Sequence, residues 1–491
     1  MEETFDSVER IDHEKIRTSI KLHTPIEITT YTLPRNMEVY INEVLAAFLT
    51  ECNQQHMIEY LTFCLGELLT NSKKANTKRI YFKEHNLDLN VESDYLKGME
   101  TFKMDTLNNI DYYLTEQKKA GLYIKLVLQF TDDNIRIEIR NNSLLCPHER
   151  QRIQEKLDNA KQYKSEKDVF GKLIDQTEGA GLGIIIIVLM LQKIGLSKDN
   201  YKVYTNETET VTAIELPIKQ EIQEGLDTVC NDFIQLQRQV PVIDSELEEL
   251  EELIADTPAE KKKLINKIAD SVSLSALVLK NAVKIVPDCC EVSKAVDVLG
   301  AEKLKKILNK DNPEIRIIQA SEFTDRLWTH ARTTAIFAYN IAKNFPIEKK
   351  YSLEEIYVFG LLHDIECVLM EVSSPEEKEL IRHKCERLNV SEQIYHMISN
   401  FSYHGSTGAK VVKSWGLPDK LAAAIKYHNN PDHAPDEIKK LIAIIYLADI
   451  LQYFYSKDVD FYQINKNILK LFNIESEEKL FYILNQVKSI L

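Results

Sequence analysis

Residues 360–366 read GLLHDIE, and the adjacent pair His363-Asp364 is one of several patterned placements of histidine and aspartate in the second half of the chain. The others are His330 in LWTHARTTA (327–335), His404 in YHGSTGAKVVKSWGLP (403–418), His428 in AIKYHNNP (424–431) and Asp449 in YLADIL (446–451). A metal ion that activates water needs several nitrogen and oxygen ligands fixed on rigid elements, and His, His-Asp and Asp drawn from separate helices supply them. Antiparallel helices can bring such distant positions together. A hydrogen-bonded core position is the commoner fate of any single histidine of this kind, so the set, not one member, carries the metal reading.

Working outward, the pattern after Pro217 is almost purely helical to Leu491, which predicts a domain boundary near residues 218–225. The run from Asp244 to Lys263 begins at an Asp-Ser cap position and carries a dense acidic face, as a solvated helix would. Before Pro217 the pattern is mixed. Met37 to Asn76 shows helical spacing, with a break near Cys52 to Gln55. Alternating runs at Lys78 to Phe82, Tyr123 to Phe130 and Ile135 to Ile139 predict strands, the last two joined by a turn at Asp132-Asp133-Asn134. Leu87 to Ala120 is polar, contains Gly98, and reads as an inserted helical excursion or lid. Gly183 to Ile194 reads as an apolar helix, followed by a second hairpin, YKVYTN and TVTAIELPI.

The chain has 491 residues, too many for one ordinary core, since single domains usually hold roughly 100 to 200. Its hydrophobic fraction of 44% and charged fraction of 28% are those of folded globular proteins. A formal charge of -15 repels phosphate backbones, so no nucleic-acid partner is expected. The longest apolar run, Ile184 to Leu191, is far shorter than the roughly 20 residues of a membrane span, and the acidic start MEETFDSVERIDHEK lacks the apolar core of a secretory signal. Eight scattered cysteines without a CxxC pair read as reduced thiols. A cytoplasmic protein without membrane contact is the expectation.

A second candidate site lies in the first half. ELLTNSKKAN (67–76) puts Glu67 and Asn71 four residues apart on one helix face. TEGAGLG (177–183) supplies Gly179, Gly181 and Gly183, which let backbone approach phosphates and lead into a helix N-terminus that favours anions.

In order and spacing, residues 25–218 resemble the histidine-kinase/gyrase-type ATPase superfamily, which implies an α+β two-layer sandwich. By that resemblance Asn71 would hold Mg2+ bridging the phosphates of ATP, Glu67 would polarise the attacking water, Lys74 would face the phosphates, and Gly179 to Gly183 would wrap the triphosphate. The adenine-binding box, Asp-x-Gly-x-Gly in the family, aligns here with Asn141-Asn142-Ser143-Leu144-Leu145. Asn141 offers a carbonyl oxygen to the adenine amine but no carboxylate. Without a histidine in a phosphoacceptor helix, the layout resembles anti-sigma-factor-type ATPases more than protein kinases, and kinase activity is not expected.

From about Gln239 to the C-terminus the chain resembles the HDOD branch of the HD phosphohydrolase superfamily, which implies an all-α domain. The resemblance rests on VPVIDSELEELEELIADTPAEKKKLINKIADSVSLSALVLK (240–280), AVDVLGAEKLKKILNK (295–310) and HGSTGAKVVKSWGLPDKLAAAIKYHNNP (404–431). It implies that His330, His363, Asp364 and Asp449 form a four-ligand set for Mn, Fe or Zn, with His404 and His428 matching the extra ligands of two-metal relatives. Glu366 replaces a common glycine and Asn429 a second consecutive histidine.

The expected organisation is an N-terminal extension (1–24), an ATPase-like domain (25–218) with its insertion near 87–120, a linker helix (219–238), and an HDOD domain (239–491). The expected function is signal transduction through a nucleotide-binding domain and an HDOD module that engages a regulatory protein partner. The rivals are a metal-dependent phosphohydrolase acting on a nucleotide or cyclic dinucleotide, with Asp364 in its catalytic metal set, and a weak ATPase of the first domain, with Glu67 as its catalytic group. The aromatic residues of the last helices, as in KLFYILNQVKSIL, fit core packing or a homodimer face.

Overall fold

The computed structural model describes residues 11–52, 54–131, 134–159, 182–193, 195–217, 239–251, 253–254, 258–371, 373 and 404–488. The chain divides into two compact units. Unit 1 comprises residues up to Ile20 and Thr24–Ile218, and unit 2 comprises Lys219–Leu491 together with the short segment Lys21–His23.

Unit 1 is built on a five-stranded antiparallel sheet of order β1-β2-β3-β5-β4, with β1 at Ile26–Thr30, β2 at Ile124–Phe130, β3 at Asn134–Asn141, β4 at Tyr201–Thr205 and β5 at Thr210–Pro217. Alternation fixes the register. Ile26, Leu128, Ile137, Ile214 and Tyr201 pair in one row across all five strands, and each is buried. A one-residue slip would turn this whole row to the other face.

After α1 (His13–Lys21), helices α2 (Arg35–Glu51) and α3 (Ile58–Glu84) follow β1, and both pack against β2. The 27-residue α3 corrects the expected strand at Lys78 to Phe82. Its buried stripe runs Leu61, Leu65, Leu68, Ser72, Asn76, Ile80, three or four residues apart, so Ile80 continues a helix face. The polar residues Ser72 and Asn76 break the stripe's hydrophobicity and disguise its period. Buried Asn76 is paired all round: its Nδ2 donates to the carbonyl of Tyr123 at 3.2 Å, and its Oδ1 accepts from the Ser143 hydroxyl at 2.7 Å.

The 87–120 segment forms helices α4 (Glu92–Asn108) and α5 (Ile110–Lys119). Their apolar sides close on an aromatic cluster of Tyr81, Phe82, Tyr95, Phe102 and Tyr113. Gly98 lies on the Phe82 ring, where an added Cβ would come within 2.5 Å of Cζ. Helices α6 (Pro147–Asn159) and α7 (Leu182–Lys193) complete the unit, and α7 packs on α3. The expected linker helix at 219–238 lies outside the described residues.

Unit 2 is mainly helical, with one departure from the all-α expectation. Strands β6 (Val240–Ile243) and β7 (Ile315–Ile318) pair in parallel, Val240 opposite Ile315 and Ile243 opposite Ile318. VPVI and IRII are too short for a period to show, and a parallel partner is necessarily distant in sequence. The acidic run after β6 is two helices, α8 (Asp244–Glu251) and α9 (Pro258–Ala269), followed by the buried α10 (Val272–Ala282) and by α11 (Val292–Ile307).

The elements that carry the His/Asp set are α12 (Glu322–Asn344), α13 (Leu353–Leu362), α14 (Ile365–Glu371), α15 (His404–Ser414), α16 (Asp419–Tyr427) and α17 (Lys439–Ser456), with α18 (Lys466–Leu471) and α19 (Glu477–Lys488) beyond. Ser321 and Ser352 cap α12 and α13 through capping boxes. Gly360 lets the two helices approach closely: a Cβ there would lie 2.9 Å from the Cα of Ala335. Helix α17 is buried along most of its length, from Leu441 to Leu451. Among the described residues no helix is long and apolar enough to cross a membrane.

Candidate metal centre

His363 and His428 occupy the same local position: each is the first residue after a helix, α13 and α16 respectively. The last carbonyls of a helix have no partner within it. Each imidazole supplies one. His363 Nδ1 bonds the Gly360 carbonyl at 2.7 Å, and His428 Nδ1 bonds the Ile425 carbonyl at 2.6 Å. With the proton on Nδ1, Nε2 presents its lone pair to the interior, which is the tautomer a metal ligand needs.

Those Nε2 atoms converge on two buried carboxylates. His428 Nε2 is 3.3 Å from Asp364 Oδ1, and His363 Nε2 is 3.6 Å from both Asp364 Oδ1 and Asp449 Oδ1. His330, from the middle of α12, brings its Nε2 to 3.1 Å from Asp449 Oδ1, 3.8 Å from Asp364 Oδ2 and 3.3 Å from His363 Nε2. Atoms bound to one ion at about 2.0–2.2 Å lie about 3–4 Å from one another, and every one of these separations falls in that interval. Two overlapping groups, His330-His363-Asp364 and His363-His428-Asp449, each have ligand atoms within 4.8 Å of one another. The donor set therefore fits a divalent cation of the imidazole-and-carboxylate class.

Two buried carboxylates dominate the electrostatics of the centre. Burial pulls the His363 imidazole down, but Asp364 and Asp449 outweigh it and hold the group at about 8. Burial pushes Asp449 up, yet the two imidazoles His330 and His363 hold it well below the ordinary carboxylate range. Glu366, one turn from the centre and fully buried, is pushed well up by desolvation and by Asp364, which favours its neutral form.

The structure thus brings together five of the residues singled out in the sequence: His330, His363, Asp364, His428 and Asp449. His404 is the first residue of α15, and its side chain lies outside the description. Sequence reasoning missed Lys21, whose Nζ is 3.2 Å from Asp364 Oδ2 and 3.3 Å from the Tyr453 hydroxyl. A lone lysine 343 positions from its aspartate leaves no local signal.

In unit 1, Glu67 on α3 lies directly against Gly183 on α7, its Oε2 filling the space a Cβ at Gly183 would need. Asn71 and Lys74 are exposed farther along α3. Asn141 is buried, with its Nδ2 3.4 Å from both Asn76 Oδ1 and the Ser143 carbonyl. At the end of β3 it continues the inward series Ile135, Ile137, Ile139, which explains why it packs inside. Gly179 and Gly181 lie outside the described residues.

Residues 240–431 match the family model of the HDOD domain. An uncharacterized protein of Treponema pallidum (strain Nichols) is 34% identical over 476 residues, which cover 96% of this chain and 92% of that protein. Among solved structures, the MmoQ response regulator of Methylococcus capsulatus is 16% identical with a TM-score of 0.37, covering 50% of this chain and 98% of that one. An HDOD domain protein of unknown function from Geobacter sulfurreducens is also 16% identical, with a TM-score of 0.27, over 55% of this chain and 90% of that one.

Proposed function

This chain belongs to the same family as the Treponema pallidum protein and carries an HDOD domain over residues 240–431, and from that premise we propose that it is a cytoplasmic signal-transduction regulator. In this reading the HDOD module holds a divalent cation and engages a regulatory protein partner, while unit 1, with a histidine-kinase-like ATPase fold, binds adenine nucleotide with Mg2+.

The observation that carries the proposal is the convergence of three Nε2 atoms and two buried carboxylates, with two of the rings locked by their Nδ1 bonds in the ligand tautomer. His330, His363, Asp364 and Asp449 would hold the ion, Mn, Fe or Zn, and His428 would add a fifth donor through Asp364's side of the centre. A bound ion would supply Lewis-acid activation of water. The chain's own part is to fix ligand geometry: helix ends orient His363 and His428, and the buried α17 holds Asp449. That same donor set favours a second reading, hydrolysis of a nucleotide or cyclic dinucleotide phosphoester. The nucleotide half draws support from the Glu67–Gly183 contact and from the exposure of Asn71 and Lys74 on the same helix.

Elemental analysis of the purified chain tests the centre. Stoichiometric Mn, Fe or Zn that disappears in a His363→Ala, Asp364→Ala double variant is expected, and a metal content unaffected by those changes would overturn the assignment. Phosphodiesterase or nucleotidase turnover lost in the same variant would select hydrolysis over regulation. Calorimetric titration with ATP and Mg2+ tests unit 1: saturable heat in the natural chain that is lost in Asn71→Ala is expected, and equal weak heats in both would remove the nucleotide.

A further inference from the structure

The segment Lys21–His23 clusters with unit 2 although its neighbours in sequence belong to unit 1. It is fixed at two points. Asn429 Nδ2, from the residue after the candidate ligand His428, donates to the Lys21 carbonyl at 3.3 Å, and the Lys21 ammonium reaches Asp364 Oδ2 at 3.2 Å and the Tyr453 hydroxyl at 3.3 Å. The Lys21 side chain is 23% exposed and the Asp364 side chain 5%.

The Asp364 carboxylate is thereby shared between two sets of partners. Its Oδ1 faces the candidate metal ligands His428 at 3.3 Å and His363 at 3.6 Å, while its Oδ2 faces Lys21 at 3.2 Å and His330 at 3.8 Å. Asp364 and Asp449 place two carboxylates in the same core, and buried carboxylates without compensating positive charge are strongly unfavourable. A tethered ammonium is present at this position at high effective concentration whatever the metal supply.

We infer that Lys21 is the resident cation of the HDOD centre: its ammonium neutralises Asp364 in the metal-free chain and weakens the binding of a divalent ion. The first half of this inference stands on the Lys21–Asp364 contact alone; the second rests on the metal-centre reading above. Repulsion between an ammonium and a divalent ion sharing one carboxylate in a buried site is large enough to cost at least about tenfold in affinity.

The test uses the full chain with Lys21→Met, Asp364→Asn and the double variant, measured by thermal unfolding in chelator and by Mn2+ titration of the Lys21→Met protein against the natural chain. Lys21→Met should lower the midpoint of unfolding in chelator, Asp364→Asn should recover much of that loss when combined with it, and Mn2+ should bind Lys21→Met at least about tenfold more tightly. Unchanged stability in Lys21→Met, or no recovery in the double variant, would overturn the neutralising role. Equal or weaker Mn2+ binding by Lys21→Met would overturn the competition. If neither protein binds Mn2+ while the stability recovery is seen, the metal-centre reading fails and Lys21 stands as the cation of a metal-free centre.

Discussion

His330 Nε2 and His363 Nε2 face each other across 3.3 Å. Two imidazole lone pairs cannot share that space without a proton or a cation between them, and the His363 Nδ1 proton is already committed to the Gly360 carbonyl. The contact is therefore bridged either by the Nε2 proton of one ring or by a metal ion.

The proton case has a signature in pH. His363 is held at about 8 against an ordinary 6.5, so the protonated folded state is favoured. Its contribution is complete below pH 6.5, declines as pH rises through 8, and is on the order of 2 kcal/mol. Urea unfolding in chelator from pH 6 to 9 should show this loss in the natural chain and not in His363→Gln. Parallel pH profiles in the two proteins would contradict it.

The metal case predicts a division among the ligands. Asp449→Ala removes the carboxylate nearest His330, at 3.1 Å, which also lies 3.6 Å from His363, and should reduce divalent binding about a hundredfold or more. His428→Ala removes a donor that lies 3.3 Å from Asp364 and whose ring packs on His363, at the edge of the four-ligand set, so a smaller loss, about tenfold, is expected. Calorimetric Mn2+ titration of both variants checks the order.

In unit 1, Glu149 lies 2.8 Å from Lys78 Nζ and 2.6 Å from Arg79 Nη2. Burial pushes its carboxyl up, but Arg79 and Lys78 prevail and lower it from 4.5 to about 2. A depressed folded value gives stability that is complete above pH 4.5 and lost as pH falls toward 2, on the order of 3 kcal/mol. Acid unfolding of Glu149→Gln should accordingly be shallower over this interval than that of the natural chain, from a lower stability at pH 7.

Gly98→Ala sets two effects in opposition. Alanine gains about 1 kcal/mol of helix propensity, but its Cβ would lie 2.5 Å from Phe82 Cζ, and Phe82 is boxed in by Tyr81 and Tyr95. Overpacking of this kind costs about 1–3 kcal/mol, so net destabilisation is expected, with recovery in Gly98→Ala, Phe82→Leu. Thermal unfolding of the single and double variants decides between them.

What the sequence made legible follows from how far each signal reaches. The hairpin strands β2–β3 and β4–β5 and the break between α2 and α3 are local patterns, and each was read at its place. The helical course of Lys78 to Phe82 was obscured because Asn76 and Ser72 put polar groups on a core stripe, where they serve a buried network invisible to periodicity. The β6–β7 pair was missed because four-residue strands show no period. His330, His363, Asp364, His428 and Asp449 could be gathered from motif contexts, whereas the pairing of Lys21 with Asp364 and the engagement of Asn141 with Asn76 depend on tertiary placement alone.

The division of the chain also bears on how it can be dissected. Because Lys21–His23 clusters with residues 219–491, excision at residue 218 does not release the second unit intact. It yields a fragment stripped of the Asp364 counter-charge and of the backbone carbonyl that Asn429 holds. Ion affinities measured on such a fragment would describe a different centre from the one the whole polypeptide contains.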